Sequence, residues 1–164
     1  MGDDEEGIMA METITVESGA FEHQGPIPAK YTCDGANASP ALSWTGAPEA
    51  TKSYALIVDD PDAPGKTFVH WVYYDIPESV ASLPEGVPAV DRPSQGGTQG
   101  VNDFGKAGFG GPCPPGGTHR YFFKVYALDT RLGLVAGATK QEVVTAMETH
   151  VLAQGTLMGT YGRK

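Results

Sequence analysis

The chain has 164 residues with 22 glycines, 13 prolines, 40% hydrophobic and 19% charged residues, and a formal net charge of −9. That length fits one domain with a sizeable core, and the glycine and proline excess points to a turn-rich, mainly β fold rather than a helical bundle. The negative field disfavours nucleic-acid backbones and anionic membrane surfaces as general partners, so any anion needs a local site working against it.

Residues 1–12, with Asp3, Asp4, Glu5 and Glu6, read as an acidic, disordered tail. They lack the basic and apolar regions of a secretory signal, and no apolar run in the chain reaches about 18 residues. The expectation is a cytoplasmic protein without membrane insertion. Residues 13–164 are expected to form the single domain. Residues 13–16 alternate as a first strand, residues 25–39 form a loop turning at Asp34-Gly35, and residues 41–44 make a short strand. Two longer strands follow, 54–58 and 68–76. In the second, a period of two puts His70, Val72, Tyr74 and Ile76 on one face. Residues 77–107 form a loop long enough to be functional or to carry small elements of its own. Residues 121–128 are strongly β-prone. Thr139-Lys140-Gln141-Glu142 is a capping box, and Val143, Met147 and Val151 extend it as one helical stripe that Gly155 is expected to stop. A last strand lies at 156–161. The natural packing is an antiparallel two-sheet β-sandwich with one helix late in the chain.

Two loops carry the chemistry. Asp59-Asp60-Pro61-Asp62-Ala63-Pro64 joins the two long strands, and its prolines stiffen it and withhold two amide donors. Phe68-Val69-His70-Trp71 follows at once. The second loop runs Gly108-Phe109-Gly110-Gly111-Pro112-Cys113-Pro114-Pro115-Gly116-Gly117-Thr118 and ends in His119-Arg120-Tyr121, where a strand begins. The amides of Gly110 and Gly111 are candidates for an anion-binding concavity. Asn102 and Asp103 are expected to hold local loop backbone. Cys33 and Cys113 sit in loops that flank the same end, and free thiols are expected for a cytoplasmic chain.

In this combination, with Thr32-Cys33-Asp34-Gly35 and Ser39-Pro40, the chain resembles the phosphatidylethanolamine-binding protein family, also called the Raf kinase inhibitor-like family, in its bacterial and archaeal branch. The resemblance runs from about residue 13 onward. It implies a β-sandwich with a small pocket at one end, with pocket roles for Asp60, His70, His119 and Tyr121, and with Pro114, Gly110 and Gly111 lining it. Phe68 stands where the animal members commonly carry a tryptophan. The function expected is non-enzymatic binding of a small anion such as phosphate or a phospholipid head group, with no cofactor. Inhibition of a serine protease or a protein kinase through the pocket-end loops is the alternative, and the resemblance leaves room for a homodimer.

On the residues themselves, Asp60, Asp62, His70 and His119 admit several chemistries. Two imidazoliums offset the carboxylates in an anion site, and a protonated carboxyl can donate to a phosphate oxygen. Such a site binds more strongly as pH falls from about 8 to 6. A metal site lacks supporting ligand spacing. A hydrolase lacks a Gly-x-Ser-x-Gly elbow or a serine–histidine–aspartate order. Arg120 is expected to point away from the pocket and pair Asp62, and Asp59 to be a solvated neighbour. Trp44 and Trp71 are expected in the core or pocket wall.

Overall fold

The computed structural model describes residues 12–163; the expected acidic tail lies outside them except for Glu12. Ten strands, one α-helix and a short 3-10 helix (Ala29–Tyr31) occur in this span: β1 (Glu12–Thr13), β2 (Thr15–Glu17), β3 (Gly25–Pro26), β4 (Leu42–Thr45), β5 (Ser53–Asp60), β6 (Phe68–Pro77), β7 (Ser82–Leu83), β8 (Thr98–Gln99), β9 (Gly117–Leu128), α1 (Lys140–Met147) and β10 (Val151–Arg163). A seven-stranded sheet has the order β1-β10-β9-β5-β6-β8, with β3 also on β10; a three-stranded sheet has the order β2-β4-β7. All pairings are antiparallel except those of β1 and β3 with β10. The expected two-sheet sandwich is the fold observed.

The inner faces of the two sheets enclose the main core, built on Leu42, Trp44, Tyr54, Leu56, Val58, Trp71, Tyr73, Tyr121, Phe123 and Val125. Full burial of each large apolar side chain contributes roughly 1.5–3 kcal/mol. Both tryptophans belong to this core. A second, smaller core lies on the opposite face of the large sheet, where Val143 and Met147 of α1 pack on Ile57, Val69, Val72 and Tyr74. The large sheet is therefore covered on both faces, and β5 reads as a continuous buried run because of it.

Three expectations are corrected here. The first strand is two. Ile14, 2% exposed, is the crossing point where the chain leaves the large sheet for the small one, with β1 on β10 and β2 on β4. Gly155 is not a helix stop but a mid-strand residue of β10, where an added Cβ would lie 1.8 Å from the Ile14 carbonyl oxygen. The capping box is present, with Glu142 N donating to Thr139 Oγ1 and Thr139 N to Glu142 Oε1, but the helix ends at Met147. Thr149 takes a φ of +70°, turning the chain, and Val151 then pairs Leu128 at the start of β10. The stripe at four-residue steps continued past the helix only in the letters; sheet pairing decided the conformation.

The long loop between β6 and β9 carries β7 and β8. Buried Gln99 ties it down, accepting from Trp71 Nε1 at 2.7 Å and donating to the carbonyls of Pro88 and Val90. No helix among the described residues is long and apolar enough to cross a membrane.

Candidate functional site

Strands β5, β6 and β9 end together at one edge of the sandwich, and their inward-facing residues close a cavity of about 270 Å³. Its walls include Asp60, His70, His119 and Tyr121, with Pro64, Phe68, Phe104, Cys113, Pro114 and Pro115 around them. Simple alternation puts Asp60 on the inner face with Tyr54, Leu56 and Val58, and His119 on it with Tyr121 and Phe123.

His70 arrives differently. In the β5–β6 ladder Val58 faces Trp71 while Asp59 faces Val69, so His70 is an extra residue, a β-bulge. A second irregularity lies where Leu56 faces Tyr73 but Tyr54 faces Ile76, with Asp75 at a φ of +54°. The expected face of His70, Val72, Tyr74 and Ile76 is thereby broken. Trp71, Tyr73 and Ile76 join the inner core, Val72 and Tyr74 the outer one, and His70 lies beside Tyr121 at 5.2 Å between ring centroids. The bulge re-aims one histidine into the cavity.

Both imidazoles have their Nδ1 committed. His70 Nδ1 donates to the Gly110 carbonyl at 2.7 Å, and His119 Nδ1 donates to Asp60 Oδ2 at 2.6 Å. A carbonyl and a carboxylate only accept, so these bonds set the tautomer and leave each Nε2 as the free nitrogen. Among the described residues neither Nε2 has a hydrogen-bond partner. Tyr121 Oη is buried with no partner either. Burial holds the His70 ring below the usual histidine range, while the Gly110 hydrogen bond and the charges of Asp60, Asp103 and Asp59 pull it partly back. Burial, with the nearby charges of Asp60 and Asp62, pushes the Tyr121 hydroxyl up, so it is a donor at any ordinary pH.

Asp60 is 2% exposed and fully engaged, its other oxygen accepting Asp62 N at 2.7 Å. It orients His119 rather than offering a proton to a ligand. Asp62 does not line the cavity. Arg120 grips it with Nε and Nη2 at 2.9 and 2.8 Å, so the expected pairing is present and is bidentate, and the side-chain bond from Arg120 pulls the Asp62 carboxyl down to about 2.

The glycine amides are corrected too. Gly110 N donates to the His70 carbonyl and Gly111 N to Asn37 Oδ1, so neither faces the cavity as a free donor. These positions need glycine for close approach. A Cβ on Gly110 would meet Phe104 at 2.4 Å, and one on Gly111 would meet the Tyr31 carbonyl oxygen at 2.4 Å. Cys33 and Cys113 are bonded to each other rather than free, with Cα atoms 5.4 Å apart. The 29–38 loop docks on the glycine loop through Cys33 N to Pro112 O at 3.1 Å, which brings the two cysteines within bridging range. Asp59 is not a solvated neighbour: it lies 1% exposed on the outer face, where Lys124 and Lys140 pair with its Oδ2. Asn102 does hold the loop, accepting from Phe104 N and Lys106 N and donating to the Gly108 carbonyl. The aromatic wall of Phe68 and Phe104 was not foreseen, since nothing in the letters shows that residue 104 returns to the mouth of the 68–70 strand.

A wider depression of about 670 Å³ runs between residues 13–23 and β10. Among the described residues no group of three His, Cys, Asp or Glu side chains is placed to hold a metal ion.

The family model described as phosphatidylethanolamine-binding protein matches residues 17–162. The chain belongs to that family. A UPF0098 protein of Methanothermobacter thermautotrophicus is 53% identical over 150 residues, covering 92% of this chain and 99% of that protein. One from Aquifex aeolicus is 51% identical, covering 92% of this chain and 89% of its own length. Among solved structures, the family homologue CT736 of Chlamydia trachomatis superposes with a TM-score of 0.85 at 39% identity, covering 93% of this chain and 99% of that one. YbcL of E. coli, described as a member of the mammalian PEBP family, gives 0.85 at 37% identity, covering 92% of this chain and 99% of its own. The chain is thus a family member of bacterial and archaeal kind.

Proposed function

We propose that the cavity binds a small oxyanion of the phosphate or phosphoryl head-group type and that the protein acts by binding rather than by catalysis. The observation that supports this is the set of three polar atoms without protein partners, His70 Nε2, His119 Nε2 and Tyr121 Oη, on a cavity otherwise walled by proline and aromatic carbon. Tyr121 Oη is buried and unpaired, which is costly, and an acceptor-rich ligand would pair it together with both Nε2 atoms once the imidazoles are protonated. No lysine or arginine lines the cavity among the described residues. The positive charge must therefore come from protonated imidazole, with Asp60 behind His119 to stabilise it.

The sign of the pH dependence follows. A neutral Nε2 accepts and an imidazolium Nε2 donates, so anion binding takes up a proton and affinity rises as pH falls. Burial holds His70 below its ordinary value, so in the free protein its ring takes up a proton at lower pH than an exposed imidazole does.

Calorimetric titration with inorganic phosphate at about pH 7.5 and 6, on the natural protein and on His119→Ala, tests the reading. The expected result is several-fold tighter binding at the lower pH and a loss of about tenfold or more in the variant. A flat titration of the natural protein at both pH values would sink it and leave protease or kinase inhibition through the same loops as the reading to pursue.

A further inference from the structure

The oxyanion reading leaves most of the cavity unspoken for. A volume of about 270 Å³ is room for about nine waters at roughly 30 Å³ each, far more than one tetrahedral anion fills. What remains is apolar. Phe68 lies 4.9 Å from His70 between ring centroids, and Phe104 lies 4.8 Å from Phe68 and 5.7 Å from His70, so a continuous aromatic strip leads outward from the anion-binding ring. Pro64, Pro114 and Pro115 line the same cavity and offer no amide donor.

Phe104 is unusual. It is 44% exposed, one of three large hydrophobic residues so exposed among those described, and the one of the three that borders this cavity. It is also held in place. Its amide donates to Asn102 Oδ1 at 2.9 Å, and the neighbouring Asp103 carboxylate accepts Val69 N at 2.8 Å, which pins the 102–105 turn to the strand that carries His70. An apolar ring anchored at a cavity mouth while half in water is a surface prepared for apolar contact.

The charges nearby are already paired: Asp60 with His119, Asp62 with Arg120, and Asp103 with Lys66. An aminoalkyl ester would bring an ammonium to a mouth with no unpaired carboxylate. An uncharged ring or chain would meet the aromatic strip.

We propose, on top of the oxyanion reading, that the natural ligand is a phosphomonoester whose ester group is uncharged and apolar, aryl or alkyl, seated against Phe68 and Phe104, with Phe104 as the specificity-determining residue. The ester oxygen points out of the anion site and the group it carries lies along the strip.

The test is calorimetric, with inorganic phosphate, phenyl phosphate and O-phosphoethanolamine on the natural protein, Phe104→Ala and Phe104→Leu. Phenyl phosphate should bind the natural protein about five- to tenfold more tightly than either other ligand, the size of one aromatic contact. In Phe104→Ala the ratio of phenyl phosphate to inorganic phosphate affinity should fall below about twofold. Should the alanine variant bind no phosphate, Phe104→Leu, which keeps apolar bulk without a ring, should cut the ratio by at least half. Phenyl phosphate binding no better than phosphate, or phosphoethanolamine binding more tightly than phenyl phosphate, overturns this proposal while inorganic phosphate binding leaves the oxyanion reading standing. A ratio unchanged in both variants removes Phe104 from the role. Binding of none of the three ligands to the natural protein overturns both readings together.

Discussion

Asp59 and Asp60 are neighbours in one strand, both almost completely buried, and they live in different chemistries. Strand alternation sends Asp59 to the outer face, where two lysines neutralise it, and Asp60 to the inner face, where its partner is an imidazole. The outer contacts of Asp59 with Lys124 and Lys140 are structural and join α1 and β9 to β5. The inner pair instead stands on the cavity wall, where the free Nε2 of its imidazole meets whatever enters. One residue of offset separates a structural carboxylate from a candidate functional one.

Several changes test or extend that contrast. The largest effect on stability is expected at the cavity wall, from removing the Cys33–Cys113 bridge. The two cysteines are 80 residues apart in sequence, and replacing both with alanine should cost about 2–4 kcal/mol by chemical denaturation. Phosphate affinity should also fall, because Pro114 and Pro115 follow Cys113 directly and have no amides of their own to hold the wall. An unchanged midpoint would show that the docked loops need no covalent tie.

The direct comparison comes next. Asp59→Asn should cost about 2–3 kcal/mol, less than the 3–5 of a fully buried pair because Lys124 and Lys140 are 32% and 31% exposed, and should leave phosphate affinity unchanged. Asp60→Asn should do the reverse, with a smaller loss of stability and a loss of phosphate affinity of about tenfold near pH 6, since an imidazolium at His119 then lacks its counter-charge. Equal effects of the two on binding would dissolve the contrast.

The smallest effect belongs to Asp62, whose side chain is 28% exposed and whose partner Arg120 is 51% exposed. Its carboxyl is held near 2, below the ordinary 3.8. The stabilisation is therefore present above about pH 3.8 and lost as pH falls toward 2. Asp62→Asn should cost under about 1 kcal/mol at neutral pH. The gap between variant and natural protein should close in denaturation curves taken at about pH 2. A gap that persists there would show that Asp62 acts through shape rather than charge.

Much of this molecule was legible in the letters. The β-rich class, the strands around 54–58, 68–76 and 121–128, the capping box, and the junction histidines 70 and 119 all follow from local pattern and turn chemistry. So did the pairing of Arg120 with Asp62, because alternation in β9 separates Arg120 from His119. The strand, helix and glycine failures share one cause: the local pattern was true but a partner strand or loop overrode it, whereas the free-thiol expectation rested on an assumed compartment. Gly110 and Gly111 are glycines because Phe104 and Tyr31 press on them, Gly155 because Ile14 crosses there, and neither pressure is written in their own neighbourhoods.

What the sequence determined by itself was composition, periodicity and the identity of the groups at two strand ends. Those depend on residues close in the chain. Only the tertiary structure decided which nitrogen each histidine presents, because Gly110 and Asp60 occupy the other one from 40 and 59 positions away. It also decided that His70 faces the cavity, since a bulge exists only as a mismatch between two strands. Phe104 reaches the mouth of the cavity for the same reason: a loop's destination is set by what it packs against, not by its own residues.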